Sequence, residues 1–295
     1  MSKTVIIIVG PTAAGKTAIA IRLAQQLKTE IISADSRQCY IEMDIGVAKP
    51  SKAELEAVHH YFINSHSIHQ PANAADFEAY ALNAAEEIFT KHDIAVMVGG
   101  TGLYIRSFCE GLDIIPPIDP VLHNEINASY DKFGLEWLKQ EVSELDPLFY
   151  ATGEIDNPHR LLRALEVIKA TGHSIRHYQT QHKKQRAFNI IKLGIAPPKP
   201  ILQNQIDKRV DQMIVAGLVD EVKSLVPYKS LPPLRTVGYT EIFEYLENKI
   251  NLESAIENIK IHTRQYAKRQ ITWFKKDPDI RWFQPDDELP IDGLK

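Results

Sequence analysis

The chain has 295 residues, 44% hydrophobic and 24% charged, with 14 Gly and 17 Pro, which is the composition of an ordinary globular protein and excludes a fibrous or disordered one. At roughly 150 residues per domain it holds about two domains, or one core with a large insertion. A net charge of −4 gives no general attraction to a polyanion, and no apolar run approaches the roughly 18 residues of a membrane helix, so a membrane span is excluded.

Val5-Ile6-Ile7-Ile8-Val9 is too short for a secretory apolar region and runs directly into Gly10-Pro11-Thr12. Its unbroken β-branched character is that of a strand buried on both faces of a parallel sheet. Ala18 to Leu27 carries Ile19, Leu23 and Leu27 at helical spacing, and a short strand over Ile31-Ile32-Ser33 ends at Ala34-Asp35. A helix over Asp76 to Phe89 leads to a third strand, Ile94 to Val98, closed by Gly99-Gly100. This βαβ alternation specifies an open α/β sheet, in which ligands sit beyond the carboxyl ends of the strands. The only two cysteines, Cys39 and Cys109, suit neither a disulfide framework nor a CxxC knuckle and point to a reducing, cytoplasmic setting.

At Leu112-Asp113-Ile114-Ile115-Pro116-Pro117 the pattern breaks, and no strand recurs until Phe188 to Ile195. Within the break, Asn157 is set to cap a helix that has Pro158 at its first position, Leu161, Leu162, Leu165 and Ile168 on its apolar face, and Gly172 beyond its end. The expected fold is therefore α/β: a P-loop-type parallel sheet flanked by helices over 1–112 and 188–295, with a helical insertion domain at 113–187. Pro200 opens a helical region to about Val226 that Gly217 is placed to interrupt. A last helix, about Leu252 to Lys275, should turn Ile256, Ile259, Thr263, Tyr266 and Gln270 to the core and Lys260, Arg264 and Lys268 to an exposed stripe.

Charge is unevenly distributed. Asn157 to Arg186 holds seven basic residues against Glu166 alone, and Lys260 to Lys276 holds six against none, so each segment is locally +6 in an acidic protein. Either segment alone reads as a solvated helix face; together they read as a phosphate-backbone footprint.

Gly10-Pro11-Thr12-Ala13-Ala14-Gly15-Lys16-Thr17 fits GxxxxGK(S/T) between a buried strand and a helix. Its backbone N–H groups can wrap a diphosphate, Lys16 adds a full charge, and the Thr17 hydroxyl can hold Mg²⁺. A nucleotide-hydrolysing enzyme adds an acid at the end of a neighbouring strand. Here the strand over 94–98 ends in Val98-Gly99-Gly100-Thr101, and a guanine-reading NKxD motif is also missing. The loop is thus suited to a diphosphate that departs as a leaving group. Asp35, in Asp35-Ser36-Arg37-Gln38, can take a proton from an incoming nucleophile, while Ser36 or Gln38 can read a base edge; the plainer alternative is that Asp35 caps a turn. Thr101 is a third polar group at this edge, or a helix N-cap. His59, His60, His66 and His69 fit no metal template.

The phosphate loop, with Asp35 to Tyr40, Met43-Asp44-Ile45-Gly46-Val47-Ala48-Lys49-Pro50, Val98 to Tyr104, Asn157 to Val167, Arg209-Val210-Asp211-Gln212-Met213, Val237-Gly238-Tyr239 and Thr263 to Phe274, resembles the tRNA dimethylallyltransferases (tRNA isopentenyltransferases) over about residues 4–275. One departure is His59-His60-Tyr61-Phe62-Ile63-Asn64, which ends in Asn where many members have Asp. The resemblance implies transfer of a dimethylallyl group from dimethylallyl diphosphate to N6 of the adenosine 3′ to the anticodon of tRNA, with Mg²⁺. It implies that Asp35 is the general base and that Lys16, Thr17 and Arg209 hold the diphosphate. Residues 35–38 with Thr101 would receive a flipped adenine, and His123 with His159, Arg160, Leu161, Leu162 and Arg163 would touch the anticodon stem-loop. The partners expected are tRNA and the prenyl donor, with no membrane and a monomer sufficient. A small-molecule kinase using ATP, or a non-catalytic RNA-binding module, are the rival readings.

Overall fold

The uninterrupted apolar run at the N-terminus is explained by what lies on either side of it. In the computed structural model, which describes residues 2–180 and 182–287, β1 (Thr4–Val9) sends Val5, Ile7 and Val9 into one buried cluster and Ile6 and Ile8 into another. All five are 0% exposed, so truncating any of them is expected to cost about 2–5 kcal/mol. The chain continues through α1 (Lys16–Leu27), β2 (Ile31–Ala34), α2 (Lys52–Ala57), β3 (His60–Tyr61), α3 (Ala74–Phe89), β4 (Ile94–Gly99) and α4 (Gly102–Glu110).

A second compact unit, 111–184, contains α5 (Pro120–Leu145), α6 (Pro147–Thr152), α7 (Pro158–Thr171) and α8 (Ile175–Tyr178). Gly134 (φ 76°, ψ −168°) breaks α5 into two helical stretches. Asn157 caps α7 by accepting from Arg160 N, Pro158 is its first residue, and Gly172 ends it at φ 72°. Leu138, Val142, Leu161, Leu162 and Leu165 form its core.

The first unit, 1–110 with 185–295, resumes with β5 (Asn189–Ile195), α9 (Lys199–Val215), α10 (Leu218–Ser224), α11 (Tyr239–Leu246), α12 (Leu252–Phe274) and β6 (Ile280–Phe283). Gly217 (φ 103°) separates α9 from α10. Arg186, counted along the chain with the basic insertion, belongs to this α/β unit: its nearly buried guanidinium donates to the Ser107 and Phe108 carbonyls and pairs with Glu78 at 2.9 Å. It is a packing cation and not part of a polyanion footprint. The strands β3 and β6 lie outside the expected elements.

All six strands are parallel, in the order β3-β2-β4-β1-β5-β6. The register aligns Ala34, Gly99, Val9 and Gly194 in one row across β2, β4, β1 and β5. Asp35, Gly100 and Gly10 therefore leave the sheet side by side. The chain enters to one side of β1 and later returns on the other, so this row is a topological switch point.

Candidate active site

Gly10 leaves β1 at φ 148°, and a Cβ there would lie 2.2 Å from the Ile195 carbonyl oxygen, so only glycine lets the loop pass β5 this closely. Ala13 (φ 64°) and Gly15 (φ 81°) complete the turn into α1, whose N-cap, Gly15, offers no side-chain acceptor. The first N–H groups of α1 are thus left without a side-chain cap at the positive end of the helix dipole, an arrangement that binds anions.

Two cations close over the loop. Lys16 Nζ donates to Pro11 O at 2.6 Å, and Arg209 from α9 donates to Thr12 Oγ1 at 3.5 Å. Among the described residues neither has an ion-pair partner. Burial of the ammonium, reinforced by the Arg209 charge, outweighs the opposing pull of Asp35 and brings Lys16 down to about 7, although part of the side chain opens into the cleft. Burial lowers Arg209 as well. Paired like charges held out of water without an acid are costly, and an anion between them removes that cost.

The carboxylate edge is built by the turn after β2. Asp35 Oδ1 accepts from Arg37 N at 2.8 Å and Gln38 N at 3.2 Å, while no hydrogen bond reaches Oδ2 among the described residues. The two sequence alternatives for Asp35 therefore coexist: one oxygen caps a turn, and the other is available to a substrate. Thr101 spends its hydroxyl on the same turn, accepting from Ser36 N at 3.0 Å and donating to Ser36 Oγ at 3.4 Å. It ties β4 to residues 35–38 instead of capping α4.

Thr12 to Thr17, Asp35 and Arg209 line one cleft, and two α12 residues expected in the core, Tyr266 and Gln270, line it with them. Tyr266, expected in the core, is 36% exposed and lines the cleft, where burial of its hydroxyl and then the Asp35 charge raise it to about 12. Gln270 is buried as expected, yet it belongs to the site. Its Oε1 accepts from Thr12 N at 2.7 Å, and its Nε2 donates to Gly100 O at 2.9 Å, stitching the phosphate loop to the end of β4. A Cβ on Gly100 would meet that Nε2 at 2.2 Å. The signal for it in the sequence is a buried amide on an otherwise apolar helix face.

The cleft these groups line measures about 220 Å³ and also receives Thr17, Ser33, Gln38, Glu54 and His60. No group of three His, Cys, Asp or Glu residues that could cage a metal occurs among the described residues. Among the oxygen groups at the cleft the Thr17 hydroxyl suits Mg²⁺, which takes one or two protein ligands and fills its shell with phosphate oxygens and water. His60 Nδ1 donates to Val58 O at 2.8 Å, leaving a buried Nε2 without a partner, and burial lowers its pKa.

In the helical unit the expected RNA residues divide by burial. Leu161 and Leu162 are 0% and 8% exposed and pack in the core, so their side chains cannot meet RNA. His159, Arg160 and Arg163 retain solvent-accessible side chains, and His123 is exposed on α5. Arg160 pairs with Glu154, while Arg163 and His123 both pair with Glu166, at 3.1 and 2.7 Å. The α12 stripe needs a similar correction. Lys260 pairs with Asp211 and Arg264 with Asp207, each at 2.6 Å, because α12 packs on α9. Of the three stripe residues only Lys268 is exposed.

The sequence profile of the IPP transferase family matches residues 38–277. The tRNA dimethylallyltransferase of Christiangramia forsetii is 46% identical over 287 residues, covering 97% of this chain and 95% of that protein. That of Cytophaga hutchinsonii is 42% identical over 291 residues, covering 99% and 96%. Among solved structures, the full-length tRNA isopentenylpyrophosphate transferase of Bacillus halodurans aligns with a TM-score of 0.71 at 34% identity, covering 99% of this chain and 93% of that one. A eukaryotic dimethylallyltransferase described as acting on tRNA aligns with a TM-score of 0.77 at 27% identity, covering 96% and 74%.

Proposed function

The chain belongs to the IPP transferase family, and from that premise we propose that it transfers the dimethylallyl group of dimethylallyl diphosphate to N6 of the adenosine 3′ to the anticodon in tRNA, releasing diphosphate. Its class is tRNA dimethylallyltransferase, and the names its relatives carry leave the kinase reading without support.

The observation that carries the mechanism is the pair of cations Lys16 and Arg209, with no ion-pair partner among the described residues, across the row of strand ends from the open oxygen of Asp35. The diphosphate lies on the N–H groups of the loop, with Lys16 and Arg209 at its oxygens. Asp35 Oδ2 takes one N6 proton as the nitrogen lone pair forms the new bond to C1 of the prenyl group. The C1–O bond breaks, its electron pair leaves with the diphosphate, and the fixed charges stabilise that departing anion without rearranging. Thr17 would hold Mg²⁺, which would neutralise part of the same charge. The adenine is flipped out to reach the cleft, against residues 35–38 and Thr101, and the exposed faces of His123, His159, Arg160 and Arg163 receive the RNA backbone.

No helix among the described residues is long and apolar enough to cross a membrane. Both cysteines are buried free thiols, which suits a cytoplasmic location. Incubating the protein with C1-labelled dimethylallyl diphosphate, Mg²⁺ and an anticodon stem-loop should place label on the adenine. Unlabelled RNA, with the protein demonstrably folded, would refute the reading.

A further inference from the structure

Gln38 is held in one orientation by a loop that is itself held from far along the chain. Its Nε2 donates to Val47 O at 3.2 Å and Ala48 O at 2.9 Å. Carbonyl oxygens only accept, so the nitrogen must face the loop and the oxygen must face Ser33 and the cleft. The loop does not hold this shape by itself. Ala48 sits at φ 50°, a left-handed conformation costly for alanine. The Glu221 carboxylate, from α10, accepts from Ile45 N at 2.7 Å and Gly46 N at 3.1 Å, and the fully buried Tyr239 donates its hydroxyl to the same carboxylate. A Cβ on Gly46 would lie 2.5 Å from the Tyr239 ring, so the backbone is seated directly on that aromatic face.

We infer that Glu221 is a positioning residue that, through the 45–48 loop, fixes the Gln38 amide with its oxygen toward the cleft, and thereby sets the site to accept a base bearing an exocyclic amine. This rests on the reading of the cleft as an adenine site. An acceptor at that point gains a second donor from an N6–H, is opposed by the O6 carbonyl of a hypoxanthine, and keeps only the Ser33 hydroxyl beside an unsubstituted purine. Whether a donor or an acceptor of the base faces that oxygen therefore discriminates between bases. Glu221 touches no reacting atom and acts only through Gln38.

The test is a double-mutant cycle on full-length protein, combining Glu221→Gln with Gln38→Ala, and Tyr239→Phe as a second disturbance of the same carboxylate. Two quantities are read: kcat/KM for the stem-loop at saturating prenyl donor, and competition by stem-loops carrying adenosine, inosine or purine riboside at the target position. Glu221→Gln is expected to lower kcat/KM about tenfold, mainly through KM, and to erase most of the preference for adenosine. In the Gln38→Ala background the same change should have less than about a twofold further effect. Equal losses in both backgrounds, or an undiminished adenosine preference in both Glu221→Gln and Tyr239→Phe, would overturn the inference. Failure of the wild-type protein to prenylate any stem-loop would instead overturn the functional reading beneath it.

Discussion

The cleft of the α/β unit and the α7 face of the helical unit both carry cations, but they manage them in opposite ways. Lys16 and Arg209 are half-buried and close to the phosphate loop, with no acid paired to either among the described residues, and Lys16 is pushed down to about 7 in consequence. On the helical unit Arg160, Arg163 and Lys169 stand at the surface beside carboxylates, Glu154, Glu166 (shared with His123) and Glu141. Uncompensated burial stores a demand for an anion at a defined place, whereas a paired surface cation can exchange its acid for a phosphate at little cost. The first arrangement suits chemistry and the second suits salt-sensitive binding of a long polyanion.

The contrast is broken most directly by removing a cleft cation. Lys16→Ala is expected to lower kcat/KM for prenyl transfer by about a thousandfold, since it removes a fixed charge that acts on the leaving group. A loss under tenfold in a steady-state assay would place the diphosphate elsewhere. Asp35→Ala should cost about a hundredfold in the single-turnover rate at saturating substrates, with diphosphate affinity little changed. Gln270→Ala sharpens the structural half of the comparison. Its amide is the buried link between Thr12 and Gly100, so stability should fall by about 1–3 kcal/mol, measured from the denaturation midpoint and slope. The smallest effects belong to the helical unit. Replacing Arg160 and Arg163 together by Ala should flatten the slope of log K for RNA against log salt by less than about 0.9 per residue, because each already has an acid at hand. An unchanged slope would make α7 a merely solvated face.

Much of this architecture is legible in the amino-acid sequence alone. β1, the phosphate loop and Asp35 can be read there because buried parallel strands are continuously apolar and end where ligands bind, so pattern and function share one boundary. The cap and stop of α7 can be read for a local reason, Asn157 with Pro158 at one end and Gly172 at the other. What cannot be read depends on contacts between distant segments. Nothing in the Lys260 to Lys276 run announces that Asp207 and Asp211 lie beneath it, so the local charge overstates the free cations. The packing of Leu161 and Leu162 follows from periodicity, but the family motif places them with RNA and outweighs it. β3 and β6 are short edge strands, two and four residues long, below the length at which alternation is informative. The Glu221 anchor is invisible for the same reason as the α9 acids: it is one carboxylate on a helix until the 45–48 loop is laid against it.

The central claim is that the two unpaired cations of the cleft hold the diphosphate, and proton linkage tests it without any chemical turnover. In the free protein burial and the Arg209 charge bring Lys16 down to about 7; a bound anion favours its charged form, raises its pKa and draws a proton in. Calorimetric titration of diphosphate with Mg²⁺ at pH 8, repeated in buffers of different ionisation enthalpy, should show the wild-type protein taking up more proton than Lys16→Arg, which stays charged throughout. Affinity of the wild type should also weaken as the pH rises above 7, more steeply than that of the arginine variant. Equal proton uptake by the two proteins, with equal affinity across that range, would contradict the account.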